Sequence, residues 1–203
     1  MPLETLSFCS CRGGFHRQTG NIESGKAASI VIVGMEFNTL LSGGNPRVLK
    51  NVDLAVRQVQ NDHSKLRGLF DCLYSGDEIV RMRAADALEK ICRLNPRLIT
   101  PYMDELLTKV AANPQPSIQW HIAQIIGQVD LNQKQHDAAI MFLKEKLQHA
   151  TDWIVLGYSL ESFAKFAQKD ASQQKYFKRQ LKKLTASKYK SVSKRAARLL
   201  ERF

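Results

Sequence analysis

The sequence predicts an all-α fold, a short α-α superhelix of about four helical hairpins. Three observations predict this fold: apolar positions recur every 37 or 38 residues, each copy holds two amphipathic stripes, and turn-forming residues separate the stripes. A single hairpin cannot bury both of its stripes, so neighbouring copies must stack into one continuous core. The composition agrees, because 44% of the 203 residues are hydrophobic and only 6 are proline.

The second helix of each copy carries the clearest periodic signal. Its anchor position is apolar in all four copies, at intervals of 38, 37 and 37 residues: Val80, Ile118, Val155 and Val192. Small or apolar residues follow the anchors at +4, +8 and +11, a spacing that places them on one face of an α-helix. In the first copy these residues are Ala84, Leu88 and Ile91.

The first helix of each copy keeps the same period. Its apolar stripes are Leu66, Leu69, Phe70 and Leu73, then Met103, Leu106, Leu107 and Val110, then Ile140, Leu143 and Leu147, then Phe177, Leu181 and Leu184. Turn chemistry marks the boundaries between helices. Asp77 and Asp152 are predicted to cap second helices, and Asn95 before Pro96 ends the first copy because a residue before proline avoids helical geometry.

This periodicity predicts a repeat domain over residues 63–203, divided into repeats 63–95, 96–131, 132–169 and 170–203. Residues 36–62 are predicted to form an N-terminal cap, with a helix from Pro46 to about Gln60. The stripe that we expect to cover the first repeat comprises Val48, Val52, Ala55, Val56 and Val59. Residues 1–35 are glycine-rich and are predicted to be a disordered leader, or upstream sequence that precedes a natural start at Met35.

The run from Leu66 to Ile91, LRGLFDCLYSGDEIVRMRAADALEKI, resembles a HEAT repeat, and the resemblance extends over about residues 63–203. It implies a right-handed stack whose second helices line the concave face, with a polar ladder between turn residues of neighbouring repeats. Asp77 and Arg81 would begin that ladder, but the later copies replace this pair by Gln115 and Gln119, Asp152 and Leu156, and Tyr189 and Ser193. Armadillo, tetratricopeptide and phycobilisome-lyase-type repeats fit the length or the internal signature less well.

The charge is distributed unevenly along the chain. The net charge of +11 lies entirely in residues 164–203, which hold 13 Lys or Arg and two acids, whereas residues 1–163 hold 17 of each. Helical spacing predicts a solvent-facing strip on the second helices, called here the second-helix strip: Arg83, Lys90, His121, Tyr158, Lys165, Arg195, Arg198 and Arg202. It also predicts a basic outer face on the first helix of the last repeat: Lys175, Lys178 and Lys182.

Two interpretations of this charge stay open. It is either a solvated end cap or a surface that binds an acidic protein, a nucleic acid or an anionic membrane. The sequence favours a non-catalytic scaffold with a protein partner. The alternative is a nucleic-acid-binding protein related to the HEAT-like alkylpurine-DNA glycosylases, which resemble this chain in repeat type and charge. That class uses aromatic residues and an acid on a basic concave surface. The candidates in this chain are Trp120, His121, Asp152 and Trp153, but they do not form a convergent set that can be assigned to such a site.

No residue pattern indicates catalysis, so we expect binding rather than an enzyme. Cys9 and Cys11 lack further zinc ligands at suitable spacing, and no metal or cofactor is expected. Cys72 and Cys92 are predicted to be buried apolar residues of a cytoplasmic protein. Trp153 is expected to pack against a neighbouring repeat, and His121 to be solvated. No apolar run is long enough to span a membrane, and the sequence does not indicate an oligomeric state.

Overall fold

A computed structural model describes residues 36–45, 48–49 and 51–203 of the chain. These residues form α-helices joined by turns and short 3-10 segments, with no strand among them, so the all-α prediction is confirmed. The predictions for residues 1–35, and for Pro46, Arg47 and Lys50, lie outside the described residues.

The helices follow the predicted hairpin order. They are α1 over 36–41, α2 Val52–Asn61, α3 Leu66–Asp71, α4 Glu78–Leu94, α5 Pro96–Ile99, α6 Met103–Thr108, α7 Pro116–Ile126, α8 Gln133–His149, α9 Trp153–Lys169, α10 Ala171–Leu184 and α11 Lys190–Leu200. Helices α2, α4, α7, α9 and α11 contact one another in chain order and form one layer. In the other layer, α6 packs against α8.

The repeat anchors lie at the centre of the core. Val80, Ile118, Val155 and Val192 are all at most 1% exposed. The first-helix stripes are buried as well, except that Leu107 is only half-buried. Burial of apolar side chains contributes about 25 cal/mol per Å², so this continuous apolar seam is the main force that holds the repeats together.

Acidic and amide side chains fix the starts of the long helices. Asp77 accepts a hydrogen bond from the Ile79 backbone, and Asp152 accepts bonds from the Ile154 and Val155 backbones, so both predicted caps are confirmed. Asn132 forms a reciprocal capping box with Gln135 at the start of α8. Each cap satisfies backbone N–H groups that have no partner inside the helix.

Polar links between repeats join residues about one period apart. The Ser162 hydroxyl donates to the Ala123 carbonyl at 2.5 Å, across 39 residues. Arg67 of α3 donates to Glu105 of α6 at 2.8 Å, across 38 residues. The Tyr189 hydroxyl donates to the Thr151 carbonyl at 2.7 Å, also across 38 residues. These links fix the register in which the apolar faces stack.

The predicted turn ladder is present between the first two repeats. Arg81 donates to the Gln115 side-chain oxygen at 2.8 Å, and Gln115 donates to the Glu78 carbonyl at 2.9 Å. The amide of Gln115 therefore replaces the carboxylate that the HEAT pattern would place there. Gln119 instead donates to Asn113 within its own repeat, so the ladder does not continue through it.

The N-terminal cap differs from its prediction. Its helix α2 begins at Val52 rather than near residue 46, because Asn51 adopts a left-handed conformation with φ 61° that an α-helix cannot contain. Val48, predicted to join the apolar stripe, lies before the helix and is 54% exposed. The other four stripe residues are buried as predicted.

The cap also contains a second helix, α1, and together α1 and α2 resemble a shortened repeat. The Asn38 side-chain oxygen accepts from Ser75, and Asp53 pairs with Lys90, each across 37 residues. Gly43 and Gly44, both with positive φ, lie where a full repeat would begin its second helix. The period therefore extends into the cap with its second helix cut short.

Candidate functional site

Arg83 is the residue of the second-helix strip whose surroundings differ most from the prediction. Its side chain is 0% exposed and points under the N-terminal cap. The guanidinium donates to the carbonyls of Leu41 at 2.6 Å, Gly43 at 2.7 Å, Asn45 at 3.1 Å and Val48 at 2.9 Å. These carbonyls belong to the last residue of α1 and to the segment between α1 and α2.

The expectation that Arg83 faces solvent is therefore wrong. The planar guanidinium presents five donors in a fixed fork, which suits a group of backbone carbonyls converging from several directions. Arg83 holds the cap on the first repeat, and its burial removes it from any partner surface. Nothing in the sequence around Arg83 indicates this role, because its acceptors are backbone oxygens about 40 residues away.

The middle of the strip is a partly buried polar cluster. Lys90 pairs with Asp53 of the cap at 2.8 Å and with Asp86 at 3.2 Å. The Asp86 carboxylate also lies 3.9 Å from Nε2 of His121, which is only 7% exposed. The expectation that His121 is solvated is wrong. Burial lowers its pKa from 6.5 to about 4, although Asp86 opposes this shift, so the imidazole is neutral at pH 7.

Lys165 of the strip forms a link between repeats, and so does Gln128, which lies outside the strip. The Lys165 ammonium donates to the Gly127 carbonyl at 2.6 Å, at the C-terminal end of α7. Gln128 donates to Glu89 of the first repeat at 2.9 Å. A lysine at a helix C-terminus satisfies carbonyls that have no intrahelical partner. Lys165 is exposed, but its ammonium group is already engaged within the chain.

The last repeat continues the strip with three arginines. Arg195 pairs with Glu161 of α9 at 3.3 Å, and its guanidinium lies 5.8 Å from the centre of the Tyr158 ring. Arg198 pairs with the same Glu161 carboxylate. Arg202 forms no ion pair with a carboxylate among the described residues, and it is exposed. The structure therefore brings Tyr158, Arg195 and Arg198 together and leaves Arg202 beside them.

The basic outer face has a different character. Lys175 and Lys182 are exposed on α10, and Lys178 is half-buried. None of the three is paired with a carboxylate in the part of the chain that the structure describes. The only two acids after residue 163 are Asp170, which caps α10, and Glu201. The positive charge of α10 therefore faces solvent without compensation.

Trp153 is a candidate that the sequence analysis placed wrongly. It is 49% exposed at the start of α9 rather than buried against a neighbouring repeat. It borders a groove of about 210 Å³ that Tyr158, Val192 and Arg195 also line. Asp152 beside it caps α9 and is not free to act as a catalytic acid. The two residues therefore do not form the acid and aromatic pair that a glycosylase-like site would need.

A larger cavity of about 350 Å³ lies where α7 and α9 end near the start of α8. Its polar lining includes Asp130, His136, Lys165 and Lys169, and the His136 ring lies 5.1 Å from that of Phe166. The described residues contain no group of three His, Cys, Asp or Glu side chains that could hold a metal ion. None of the described helices is long and apolar enough to cross a membrane.

The chain is similar in structure to one chain of the complex of CpcE and CpcF of phycocyanin lyase from Nostoc sp. PCC7120. The TM-score is 0.58 at 19% sequence identity, and the match covers 85% of this chain and 98% of that chain. No protein-family model and no curated protein matches the sequence. At this identity the similarity shows the fold alone, a helical solenoid. The similar chain is a subunit of a lyase, whereas the sequence favours HEAT repeats over lyase-type repeats.

Proposed function

We propose that this protein is a non-catalytic helical-repeat scaffold that binds an acidic protein partner through its basic C-terminal repeat. One observation carries the proposal: cations before the last repeat are mostly engaged within the chain, whereas the three lysines of the basic outer face form no ion pair among the described residues. Arg67, Arg83 and Lys90 each bind groups of a neighbouring repeat or of the cap. No such bond is formed by Lys175, Lys178 or Lys182 among the described residues, so these lysines are available to a partner.

Ion pairs within the second-helix strip reduce the number of its cations that can bind a partner. Arg195 and Arg198 share Glu161, so their charge is partly neutralised. The basic outer face, together with exposed Lys190, Lys194 and Arg202, then supplies most of the uncompensated field of the last repeat. Such a field speeds association with an oppositely charged protein and selects against partners of like charge.

Two observations favour a protein over a nucleic acid. The solved structure with a similar fold is a complex of two protein subunits, so a solenoid of this kind can serve as a protein-binding element. Aromatic side chains on the last repeat are engaged: Phe177 is buried, and the Tyr176 and Tyr189 hydroxyls form hydrogen bonds within the chain. Single-stranded nucleic acid is bound by stacking bases on several free aromatic side chains, whereas beside this repeat Trp153 is the one large aromatic residue that is mostly free among the described residues.

The test is affinity purification of the tagged full-length chain from its native host, with and without nuclease. We expect a protein to co-purify after nuclease treatment. Lys175→Glu, Lys178→Glu and Lys182→Glu combined should weaken its binding at least about tenfold, with a strong dependence on salt. The purified partner's affinity, measured by titration calorimetry, gives the magnitude.

A matched control reverses the same number of charges elsewhere on the surface. Arg97, Lys109 and Lys134 are exposed and lie in the second and third repeats. Their combined replacement by Glu should leave the affinity within about twofold. Equal losses for the two triple variants would show that only net charge matters. Loss of the partner on nuclease treatment would contradict the proposal and support the nucleic-acid alternative. The cytoplasmic location stays a prediction.

A further inference from the structure

The groove between α9 and α11 is a built feature of the last two repeats. Trp153, Ile154 and Tyr158 of α9 line it together with Val192 and Arg195 of α11. The hydrogen bond from the Tyr189 hydroxyl to the Thr151 carbonyl joins the two helices at the end of the groove where both begin. The groove therefore lies between two helices whose preceding turns are joined by a hydrogen bond.

The groove depends on two residues that break the repeat pattern. The positions equivalent to Trp153 hold Glu78, Pro116 and Lys190. The positions equivalent to Gly157 hold Met82, Trp120 and Lys194, so only this copy lacks a side chain there. A Cβ at Gly157 would collide with the Arg195 guanidinium. Glycine thus lets Arg195 lie across α9, where it meets the face of Tyr158.

Both exceptions have a cost for folding. Glycine in a helix interior destabilises the helix relative to alanine, and an exposed tryptophan leaves a large apolar surface in water. The contact of Arg195 with Tyr158 and Glu161 explains why glycine occupies position 157. It does not explain why tryptophan occupies position 153. Trp153 is 49% exposed and lines the groove beside Ile154 and Val192.

We propose that this groove receives one apolar side chain, aromatic or leucine-like, from an acidic segment of the partner. The inference rests on the proposed function and adds the site at which the partner is anchored. A volume of about 210 Å³ is below the roughly 300 Å³ at which small-molecule pockets begin, so it suits a single side chain. Trp, Tyr and Arg are also the residues in which interface hot spots are enriched.

The charge around the groove selects the rest of the segment. Lys190 and Lys194 are exposed on α11, the helix that supplies Arg195. Glu161 pairs with Arg195 and Arg198, and Asp152, which precedes Trp153, accepts backbone hydrogen bonds at the start of α9. The apolar side chain of such a segment therefore contacts Trp153 and Tyr158, while its acidic neighbours contact Lys190 and Lys194. A basic segment of the same shape is repelled.

The test uses fluorescein-labelled ten-residue peptides and the full-length protein, with binding measured by fluorescence anisotropy. The first probe is a Glu-Ser peptide with phenylalanine at its centre, and the second replaces that phenylalanine by alanine. We expect the phenylalanine peptide to bind about tenfold more tightly. Trp153→Ala should abolish this preference, and Trp153→Phe should restore most of it. Met141→Ala, which removes an apolar side chain 72% exposed on α8, serves as the control and should leave the preference unchanged.

The outcomes separate this inference from the proposed function. Equal binding of the two acidic peptides, or a preference that survives Trp153→Ala, overturns the groove as the anchor site. If the two acidic peptides bind equally and the combined replacement of Lys175, Lys178 and Lys182 by Glu abolishes their binding, the proposed function still stands. Failure of both peptides to bind overturns the groove as well. The proposed function fails on its own measurement, when no protein survives nuclease treatment in the host purification.

Discussion

Arg83 and Arg195 occupy the same position in the first and the last repeat, three residues after the anchor, yet their surroundings are opposite. Arg83 is fully buried and donates to four backbone carbonyls of the N-terminal cap. Arg195 is partly exposed and lies beside Tyr158 and Glu161. The repeat register sets the direction in which a side chain points, but what lies in that direction decides its role.

The difference distinguishes the first repeat, which the N-terminal cap covers, from the last repeat, which is called here the open end because its cations are exposed. At the N-terminal end a shortened repeat covers the strip, and polar groups are consumed in holding it there. In the last repeat several cations of α10 and α11 are exposed, and the Trp153 ring of the preceding repeat is 49% exposed. Free energies of unfolding of variants in the two regions measure this contrast.

The largest effect is expected for Arg83→Ala. The substitution leaves the cap carbonyls that Arg83 binds without their donor. Each buried acceptor left unsatisfied costs about 1–3 kcal/mol, so the four together should cost about 3 kcal/mol or more. The matched change Arg195→Ala removes a partly exposed ion pair, which contributes less than about 1 kcal/mol. Urea unfolding followed by circular dichroism measures both values. Equal losses for the two variants would contradict the distinction between the ends.

The second effect concerns pH and His121. Because burial lowers the pKa of His121 to about 4 while the unfolded value is near 6.5, only the unfolded state gains a proton between these values. Stability should therefore fall as the pH drops from 6.5 to 4, by up to roughly 3 kcal/mol from this residue. His121→Gln should flatten the curve in that window. An unchanged slope in the variant would show that His121 is solvated after all.

The third effect concerns the buried link between α7 and α9. Ser162→Ala removes the hydrogen bond to the Ala123 carbonyl and should cost about 1 kcal/mol. Ser191 is exposed at the start of α11, so Ser191→Ala should change stability by less than about 0.5 kcal/mol. Thermal unfolding of the two alanine variants provides the comparison. A loss at Ser191 as large as that at Ser162 would mean that the open end is also closely constrained.

The smallest effect is expected for the combined reversal of Lys175, Lys178 and Lys182. These side chains have no carboxylate partner among the described residues, so their replacement should change the free energy of unfolding by less than about 1 kcal/mol. Urea unfolding of the triple variant measures the change. A loss of several kcal/mol would show that these lysines support the fold, and the weakened partner binding could not then be assigned to the surface.

Much of the fold could be predicted from the sequence because its determinants are local and repeated. The anchors, the stripes and the caps at Asp77 and Asp152 follow from helical spacing and turn chemistry, and the structure confirms them. The shortened repeat in the cap was missed because Gly43 and Gly44 interrupt its second helix. The 37-residue offset between Asp53 and Lys90 is the signal that could have indicated it.

The site was less predictable than the fold. A helical spacing could not show that Arg83 meets backbone carbonyls or that His121 is buried against Asp86, because both depend on what neighbouring repeats place opposite them. The exposure of Trp153 was missed for the same reason. A glycine inside α9, four residues after Trp153, is a local sign that side chains are arranged unusually there.

The most direct test of the central claim is zero-length carbodiimide crosslinking of the full-length chain to its purified partner, read by mass spectrometry. This reagent joins a lysine to a carboxylate only where the two are already in contact. We predict crosslinks from Lys175, Lys178, Lys182, Lys190 and Lys194 to Asp or Glu of the partner. Crosslinks confined to Lys109 and Lys134, or to other lysines of the first three repeats, would contradict the account.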